Sequence, residues 1–508
     1  MHFLNVCVLL RASVMPDSSV PGSSVPASEI ARLLLLFAIL LLGALPAARA
    51  QTTAITGATA IRPAQGDTLA DATVVVEAGR IAAVGPSEAV EVPAEAERLD
   101  ASGRYVMPGL IDSHVHFFQS GGLYTRPDGL DLRFAKPYEQ ELSDIKARLP
   151  ATLRRYLASG ITGVVDAGGP RWNLDVRAQA EQMAQAPRVG VAGPLISSVA
   201  RPKLDLGDPP ILKVETPKEA REVARRQAEA RFDIIKIWYI VGQGQTPADF
   251  RPVAEAAIAT AHEAGLPAAV HATELETARA AVEAGADVLV HSVFDQPVDE
   301  AFTQLLVKNN VIYIPTIMVR ERYGEVFAGA YEPTEAAKHL GNEQVLASLD
   351  DLGTEVPADS LPQRMRAALG RDVAPGAIPP SQTAISNLRA LHDAGVRVAA
   401  GTDAGNPGTP HGPALAYEMQ VMREAGLSPM EVLETATRGG AALMERAGAP
   451  NADALGRLQA GAPADLVVLR ENPLDDLMNA ATAEHVVRDG RVFEASALLE
   501  AAASPAER

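Results

Sequence analysis

Short apolar runs alternate with longer amphipathic stretches through the middle of this chain. The runs are rich in Val, Ile and Ala and end at Gly, Pro or charged residues, which is typical of strands buried on both faces. Stretches rich in Ala, Glu and Arg lie between most of them and predict helices, as at 217–230, 252–264 and 276–284. The predicted strands are 110–117, 163–166, 188–192, 233–238, 268–271, 288–291, 311–315 and 396–401.

Eight such strand units predict an α/β fold, a parallel (β/α)8 TIM-like barrel over residues 108–450. The alternative, an open doubly wound sheet, would normally carry a glycine-rich phosphate turn after an early strand, and no G-x-G-x-x-G stands there. The pattern breaks at 321–380, where a long helical insertion follows the seventh strand. Loops after barrel strands lie at the C-terminal mouth, so we expect this insertion to cover the mouth as a lid.

Strand-like sequence also occurs near both chain ends. β-branched or alternating residues predict strands at 53–62, 72–77, 80–84, 464–470 and 485–493, the last with a turn at Asp489-Gly490. These two regions flank a middle of different composition. We therefore predict one small β-sandwich domain built from both ends, with 51–107 as its first part and 451–498 as its second, followed by a disordered tail over 499–508.

The N-terminal residues resemble a secretory signal. An apolar run over 33–45 follows Arg32 and precedes the small-residue cleavage pattern Ala48-Arg49-Ala50. The run is shorter than the ~20 residues of a spanning helix. We expect a signal peptide over 1–50, cleavage after Ala50, and a periplasmic or secreted mature protein with no stable membrane insertion. An uncleaved anchor is the alternative, and the long Ser/Pro-rich lead suggests that translation starts at Met15.

Composition and net charge narrow the range of possible binding partners. The hydrophobic fraction of 47% and the charged fraction of 21% are those of a soluble globular protein. A net charge of -18 argues against nucleic acid and anionic membrane surfaces, since both require basic patches. Cys7 is the one cysteine and lies in the predicted signal, so we expect a mature protein with no disulfide, no thiolate metal ligand and no cysteine nucleophile. We expect a small-molecule substrate and a homo-oligomer.

Metal-binding residue types stand at the ends of the predicted strands. His114 and His116 are two residues apart on one strand, so their side chains share a face and can hold one metal ion. Further candidates at strand ends are His271, His291 and Asp403, on the face where barrel enzymes perform their chemistry. The histidines on predicted helices or in the β domain are interpreted as surface or structural residues, namely His262, His339, His392 and His485.

Lys236 lies inside the apolar fourth strand, where burial makes its charge costly. It is either a structural lysine with satisfied partners or a lysine whose amine reacts with carbon dioxide. The product, a carbamate, is an anionic oxygen ligand that can bridge two metals. Imidazoles, a carbamate and an aspartate together balance two divalent ions. Zinc suits this N/O ligand set, with manganese, cobalt and iron as alternatives.

Several motifs carry a resemblance to a known family. They are Pro-Gly-Leu-Ile-Asp-Ser-His-Val-His at 108–116, Asp-Ile-Ile-Lys at 233–236, Val-His-Ala at 270–272, Val-His at 290–291, Gly-Thr-Asp-Ala-Gly at 401–405 and the stretch 456–465. With them, nearly the whole mature chain resembles the amidohydrolase superfamily, in the imidazolonepropionase-like branch that includes binuclear Xaa-Pro dipeptidases and carboxypeptidases. The resemblance implies that His114, His116 and Asp403 hold the more buried metal. It also implies that His271 and His291 hold the exposed one, and that carboxylated Lys236 bridges both.

The resemblance implies metal-dependent hydrolysis of an amide (C–N) bond, in a dipeptide or an N-acyl amino acid. A metal-bridging hydroxide would attack, and Asp403 would act as general base and then acid. Tyr239, three residues past Lys236, would donate to the oxyanion or to a substrate carboxylate, or else pack at the rim. His411, in the loop after strand eight, would hydrogen-bond behind the ligands or contact substrate.

Substrate recognition is less defined by the sequence. Arg126, Arg133 and Arg171 follow the first two strands, and one of them could pair with a substrate carboxylate. The dipeptidase branch tends to place a further histidine between strands one and three. None stands between His116 and His262, which weakens a transfer of Xaa-Pro specificity. Specificity would reside in the loops at 118–140, 194–214 and 320–385.

Two other functions are consistent with parts of the pattern. A mononuclear deaminase or cyclic amidine hydrolase would use Glu274, in His-Ala-Thr-Glu at 271–274, as proton shuttle. Lys236 argues against it, because a site with one metal has no use for a bridging carbamate. A non-catalytic binding protein on the same scaffold would show lost ligands, and every ligand is present.

Overall fold

The computed structural model describes residues 52–369, 373–374, 376–449 and 452–503. The predicted signal peptide, its cleavage site and Cys7 lie outside these residues. Within the part that is described, no helix combines the length and the apolar character needed to cross a bilayer.

Strands and helices alternate through most of the chain. The strands are β1 (Thr53–Arg62), β2 (Asp67–Glu77), β3 (Arg80–Pro86), β4 (Glu97–Asp100), β5 (Tyr105–Pro108), β6 (Leu110–Val115), β7 (Ile161–Asp166), β8 (Arg188–Val191), β9 (Leu195–Ser197), β10 (Ile211–Lys213), β11 (Ile235–Trp238), β12 (Ala268–His271), β13 (Val288–Val290), β14 (Ile312–Ile314), β15 (Arg397–Val398), β16 (Leu466–Leu469), β17 (Ala483–Arg488) and β18 (Arg491–Glu494).

The helices are α1 (Tyr138–Ala158), α2 (Asn173–Gln182), α3 (Pro217–Glu229), α4 (Pro247–Glu263), α5 (Leu275–Glu283), α6 (Glu300–Lys308), α7 (Met318–Ala328), α8 (Glu335–Leu340), α9 (Glu343–Ala347), α10 (Gln363–Leu369), α11 (Gln382–Asp393), α12 (Ala414–Arg423), α13 (Pro429–Glu434), α14 (Gly440–Arg446) and α15 (Ala495–Ala503). Helix starts follow local chemistry. Thr216 caps α3 and Ser428 caps α13, each in a reciprocal pair with a glutamate three residues on and with proline at the first helical position.

The middle strands form parallel sheets, as expected for strand–helix repeats. One sheet has the order β6-β7-β8, and a second has the order β10-β9-β11-β12-β13-β14-β15. A parallel bridge between Ala192 and Ile234 connects the first sheet to the second beside β8. Another parallel bridge, between Val115 and Ala404, connects β6 to the segment after β15. The mixed α/β class with parallel sheets is therefore confirmed.

Residues alternate between two apolar clusters along these strands, because successive side chains point to opposite faces. One cluster includes Ile234, Ala269, Val288, Val290, Ile312, Ile314 and Ala399, together with residues of α14. The other, packed against the surrounding helices, includes Ile235, Ile237, Val270, Leu289, Tyr313 and Val398. Because these strands are buried on both faces, their sequences are continuously apolar.

Strands from both chain ends pair in one mixed sheet, in the order β18-β17-β16-β5-β1-β2-β3, with β4 beside β1. The antiparallel pair of β5 and β16, with Val106 opposite Val468, joins the two ends. Asp489 and Gly490 form the expected turn between β17 and β18, with φ of 53° and 78°. Folding of this sheet into a sandwich stays a prediction.

Two boundaries differ from the prediction. The tail predicted as disordered from residue 499 is helical as far as Ala503, because Leu498 and Ala502 of α15 are buried, and α15 packs on α1.

The insertion begins at Met318, three residues earlier than expected. It shares an apolar cluster with the loop after β6, formed by Leu123, Leu130, Leu132, Val326, Leu349, Leu352, Val356 and Leu361.

Candidate metal centre

Strand alternation brings two of the predicted ligands to a common cavity. Lys236 shares a strand face with Ile234, and His271 shares one with Ala269. Trp238 follows Lys236 on the same face, and its ring lies 5.8 Å from that of His271, centroid to centroid. Lys236, Trp238 and His271 all line the same cavity.

Three residues reach the cavity through left-handed backbone. The φ angles are 73° at His291, 43° at Thr316 and 56° at Asp403. Simple alternation after Val290 would turn His291 toward the helices, and the positive φ turns it to the cavity instead. Such conformations cost about 1–3 kcal/mol each and occur preferentially at functional sites, most unusually at β-branched Thr. The site therefore contains local strain that the surrounding packing must offset.

His114, His116 and Asp403 present three ligand atoms to one point. Nε2 of His114 lies 3.3 Å from Nε2 of His116, and Oδ1 of Asp403 lies 3.3 Å and 3.2 Å from them, respectively. A tetrahedral ion with bonds of about 2.0–2.1 Å requires ligand atoms about 3.3–3.4 Å apart. All three residues are buried. The group therefore fits one divalent metal.

Close backbone packing holds this triad. A Cβ on Gly401 would lie 2.9 Å from Cβ of His114, so only glycine allows the segment after β15 to approach β6 this closely. Nδ1–H of His116 donates to the carbonyl of Gly168 at 2.7 Å, which leaves its Nε2 free to bind metal. The Asn406 amide donates to the Asp403 carbonyl at 3.0 Å and fixes the strained loop.

Two buried carboxylates lie behind the histidine ligands. Asp112 accepts from the Thr402 hydroxyl at 2.7 Å, and burial raises the pKa of Asp112 to about 7. Asp166 accepts from the side-chain amide of Asn173 at 2.7 Å, and burial raises the pKa of Asp166 to about 6. Both also accept backbone N–H bonds next to the ligands, from His114 and Phe117 respectively. They orient the end of β6.

His271 and His291 form a second imidazole pair beside the triad. Their ring centroids are 4.4 Å apart, and the His291 ring lies 5.0 Å from the His114 ring. Burial lowers the pKa of both histidines well below the ordinary value, with Lys236 and the neighbouring rings adding to the effect. Both are therefore neutral near pH 7, the form that binds metal.

Lys236 is a buried amine without a hydrogen-bond partner among the described residues. Burial lowers its pKa to about 7, although the Asp403 charge opposes the shift. Oδ1 of Asp403 likewise has no conventional hydrogen bond in the described part of the chain. Unpartnered buried polar atoms are costly unless a ligand satisfies them. The donor set therefore fits a metal group placed between Lys236 and Asp403.

The cavity at this centre has a volume of about 490 Å³. Five of the six predicted ligands line it, and His114 lies directly behind them. Its other walls are mainly apolar. They include Phe118, Leu195, Leu204, Ile211, Trp238, Phe294, Ile317, Tyr323 and Phe327.

Several lining residues were missed from the sequence. Arg320, Tyr323 and Phe327 lie on one face of α7, at the start of the insertion, and a helical period would have found them. Trp238 follows from strand alternation after Lys236. Asn406 accepts from Tyr323 at 2.6 Å, and no spacing in its glycine-containing loop indicated it.

The predicted position of Tyr239 was wrong. It stands three residues after Lys236, so alternation turns it to the opposite strand face. There it is buried against Phe250, and its hydroxyl donates to the Pro247 carbonyl. Tyr239 does not line the cavity, so it cannot donate to an oxyanion from this position.

His411 lies behind the cavity and not in it. Its Nε2–H donates to the Gln119 carbonyl at 2.8 Å, while the Tyr156 hydroxyl donates to Nδ1 at 2.8 Å. Its ring stacks on Phe117 at 5.4 Å between centroids. Since Gln119 lines the cavity, His411 positions a wall residue and does not touch substrate.

The remaining candidates are also placed by the structure. Glu274 is exposed at the start of α5 and does not line the cavity. Arg133 pairs with Asp131 on the surface, and Arg171 is exposed away from the cavity. Of the three predicted arginines, Arg126 alone reaches the cavity.

Comparison with known proteins gives a family match over most of the chain. The amidohydrolase family profile matches residues 105–493. The imidazolonepropionase of Streptomyces avermitilis is 31% identical over 408 residues, 78% of this chain and 80% of that protein. The imidazolonepropionase of Saccharopolyspora erythraea is 42% identical over 103 residues, 18% of this chain and 24% of that protein.

A solved structure shares the fold. The crystal structure of a Xaa-Pro dipeptidase with bound methionine in the active site superposes with a TM-score of 0.64 and 22% sequence identity. The match covers 87% of this chain and 100% of that chain.

Proposed function

This chain belongs to the amidohydrolase family of metal-dependent C–N bond hydrolases, and from that premise we propose that it cleaves the amide bond of a dipeptide or an N-acyl amino acid. Water adds across the amide, so that the products are one carboxylic acid and one amine. We further propose that the parallel strands close into a (β/α)8 barrel whose carboxyl ends carry this site, consistent with the two bridges that connect the sheets.

The observation that carries this proposal is the convergence of one ligand set on a buried cavity. It contains four imidazoles, one carboxylate and one unpartnered amine, from His114, His116, His271, His291, Asp403 and Lys236. Neutral imidazoles and a carboxylate without competing hydrogen bonds are ligands for divalent cations.

Two divalent ions, with zinc the best match to the ligands, are proposed to bind here. His114, His116 and Asp403 would hold one ion, and His271 and His291 would hold the other. Lys236, whose pKa is lowered to about 7 by burial, is a neutral amine often enough to add carbon dioxide. That step forms an N–C bond, releases the amine proton and gives a carbamate able to bridge the ions. When bound, the ions supply an activated water and polarise the scissile carbonyl.

Asp403 is the residue that moves the proton. Burial alone would raise its pKa, but the close approach of the His114 and His116 rings holds the pKa of Asp403 well below its ordinary value. It is therefore ionised and can accept the proton of the attacking water, then deliver that proton to the leaving nitrogen. The Asn406 amide holds the loop of Asp403 in place. The aromatic walls at Phe118 and Trp238 exclude bulk water from this transfer.

The cellular location and the oligomeric state of the enzyme are also proposals. The apolar run at 33–45 and the small-residue pattern Ala48-Arg49-Ala50 suit export to the periplasm, with cleavage after Ala50. Mass determination of the mature protein from a native fraction checks the cleavage site. Assembly into a homo-oligomer, which sedimentation would measure, is proposed for the same protein.

A substrate panel tests the function directly. Protein loaded with zinc in bicarbonate buffer should release free amino acid from dipeptides or from N-acyl amino acids. Protein treated with a chelator should not. Deamination of adenine-type compounds without amide hydrolysis would reject the proposal.

A further inference from the structure

The cavity contains one arginine that no carboxylate of the described residues neutralises. We infer, building on the proposed amide hydrolysis, that the substrate is an amino acid whose nitrogen carries an apolar acyl group, and that Arg320 binds its free carboxylate. The pairing of the charged residues in the cavity wall favours the N-acyl amino acid over the free dipeptide.

Arg126, which also lines the cavity, already makes a hydrogen bond from each of its three guanidinium nitrogens. Its Nε and Nη2 donate to the two carboxylate oxygens of Asp128, each at 2.8 Å, and its Nη1 donates to Asn406 at 2.8 Å. Tyr323 lies beside the same nitrogen. A substrate carboxylate would have to displace a buried bidentate partner, which is unfavourable. Arg126 is therefore part of the wall and not a free anion site.

Arg320, unlike Arg126, has an aromatic ring and no carboxylate as its neighbour among the described residues. Its guanidinium carbon lies 4.5 Å from the centroid of the Phe294 ring, a cation–π contact that orients the group. No ion pair to Arg320 occurs in the described part of the structure, although the chain carries a net charge of -18. Its neighbour Arg322 points elsewhere and pairs with Glu325 at 2.7 Å. Arg320 thus offers an oriented, unneutralised fork at the rim, which matches carboxylate geometry.

No carboxylate among the described residues of the cavity wall is free to pair with a substrate ammonium. Asp403 is the only carboxylate among the described residues that line the cavity, and it is committed to His114 and His116. The free α-ammonium of a dipeptide would therefore lie among cations without a partner, at a cost in binding. An acyl group carries no such charge.

The walls provide a place for that acyl group. Leu195, Leu204, Ile211, Phe118 and Trp238 form an apolar side of the cavity. A flat aromatic or branched aliphatic acyl chain would bury its surface there, worth about 25 cal/mol per Å². Arg320 follows β14 and Phe294 follows β13, so the carboxylate end lies toward the His291 side.

Three compounds whose leaving amine is leucine or leucinamide test the inference in zinc-loaded protein. They are N-benzoyl-L-leucine, its carboxamide N-benzoyl-L-leucinamide and the dipeptide L-phenylalanyl-L-leucine. The wild-type enzyme should prefer the first over each of the others by about tenfold or more in kcat/KM, the value of one charge-assisted contact. Arg320→Gln should remove the preference over the carboxamide, mainly through a higher KM for N-benzoyl-L-leucine. Arg320→Lys should keep part of it.

Arg133→Gln is the matched control, because Arg133 is an exposed arginine outside the cavity. Binding of N-benzenesulfonyl-L-leucine, which is not hydrolysed, measures the same contact by calorimetry without turnover. It should weaken about tenfold in Arg320→Gln and not in Arg133→Gln. Equal binding in wild type and Arg320→Gln overturns the Arg320 assignment, and equal or better hydrolysis of the dipeptide overturns the N-acyl assignment. Absence of all hydrolysis with intact binding rejects the proposed reaction instead.

Discussion

Nδ1 of His291 lies 2.7 Å from Oγ1 of Thr316, and both residues hold left-handed backbone, with φ of 73° and 43°. The two strained residues end neighbouring strands, β13 and β14. Each conformation is unfavourable alone, and the contact between them helps to fix both. When Nε2 of His291 binds a metal, Nδ1–H donates to the threonine hydroxyl and sets the ring orientation.

Thr316→Val should therefore weaken metal binding at His291 by about 10–100-fold, the usual effect of losing a partner behind a ligand. Thr316→Ser keeps the hydroxyl and should retain most of the affinity. Competition with a fluorescent zinc chelator measures both variants. Equal affinities in Thr316→Val and Thr316→Ser would show that the hydroxyl does not orient His291.

Lys236→Ala should abolish most turnover and leave at most one tightly bound metal per chain. The reason is the loss of the proposed bridging carbamate, since Lys236 is a buried amine with no other described partner. Metal analysis after gel filtration, together with hydrolysis of N-benzoyl-L-leucine, checks this, and a short carboxylic acid should restore part of the activity. Lys218→Ala, an exposed lysine on α3, is the control. Two metals and full turnover in Lys236→Ala would reject the bridge.

His411 should make the metal-free protein sensitive to acid. Burial lowers its pKa from 6.5 to about 4, so between these values the unfolded chain binds a proton that the native state excludes. Stability is therefore lost as the pH falls from 6.5 toward 4, by about 2 kcal/mol from this residue between pH 7 and 5. His411→Gln should show a correspondingly smaller difference in urea unfolding between pH 7 and 5. The same difference in both proteins would show that His411 is not the titrating group.

Asp403→Asn should retain zinc at reduced affinity but lose turnover by about 10²–10⁴-fold. An amide oxygen can partly replace the carboxylate as a ligand, but it can neither accept nor deliver the proton. Turnover is compared at saturating zinc with that of Asp475→Asn, an exposed aspartate. Near wild-type turnover in metal-loaded Asp403→Asn would move the general base to another residue.

Strand periodicity predicted the strands and helices well and placed the candidate ligands at strand ends, because apolar strands and their polar ends leave a strong local signal. His114, His116 and Asp403 converge because parallel strands end at one edge. Alternation failed at His291, where a positive φ that no local pattern encodes reverses the side chain. At Tyr239, three residues after Lys236, strand alternation correctly gives the face opposite to the cavity, but the prediction from the sequence did not use it.

Long-range pairing was the part that the sequence could not supply. Arg126 and Arg320 cannot be told apart by residue type. The folded chain places Asp128 against Arg126 and Phe294 against Arg320. The role of His411 likewise depends on a carbonyl of Gln119, almost three hundred residues away in sequence. The α15 helix was missed because its burial depends on packing against α1.

Titration of metal-free protein with zinc in bicarbonate buffer tests the central claim most directly. Hydrolysis of N-benzoyl-L-leucine and bound zinc per chain are measured at each step. The six-residue centre predicts that activity rises until two zinc ions are bound per chain and then levels off. Full activity at one zinc per chain, or in the absence of metal, would contradict the binuclear account.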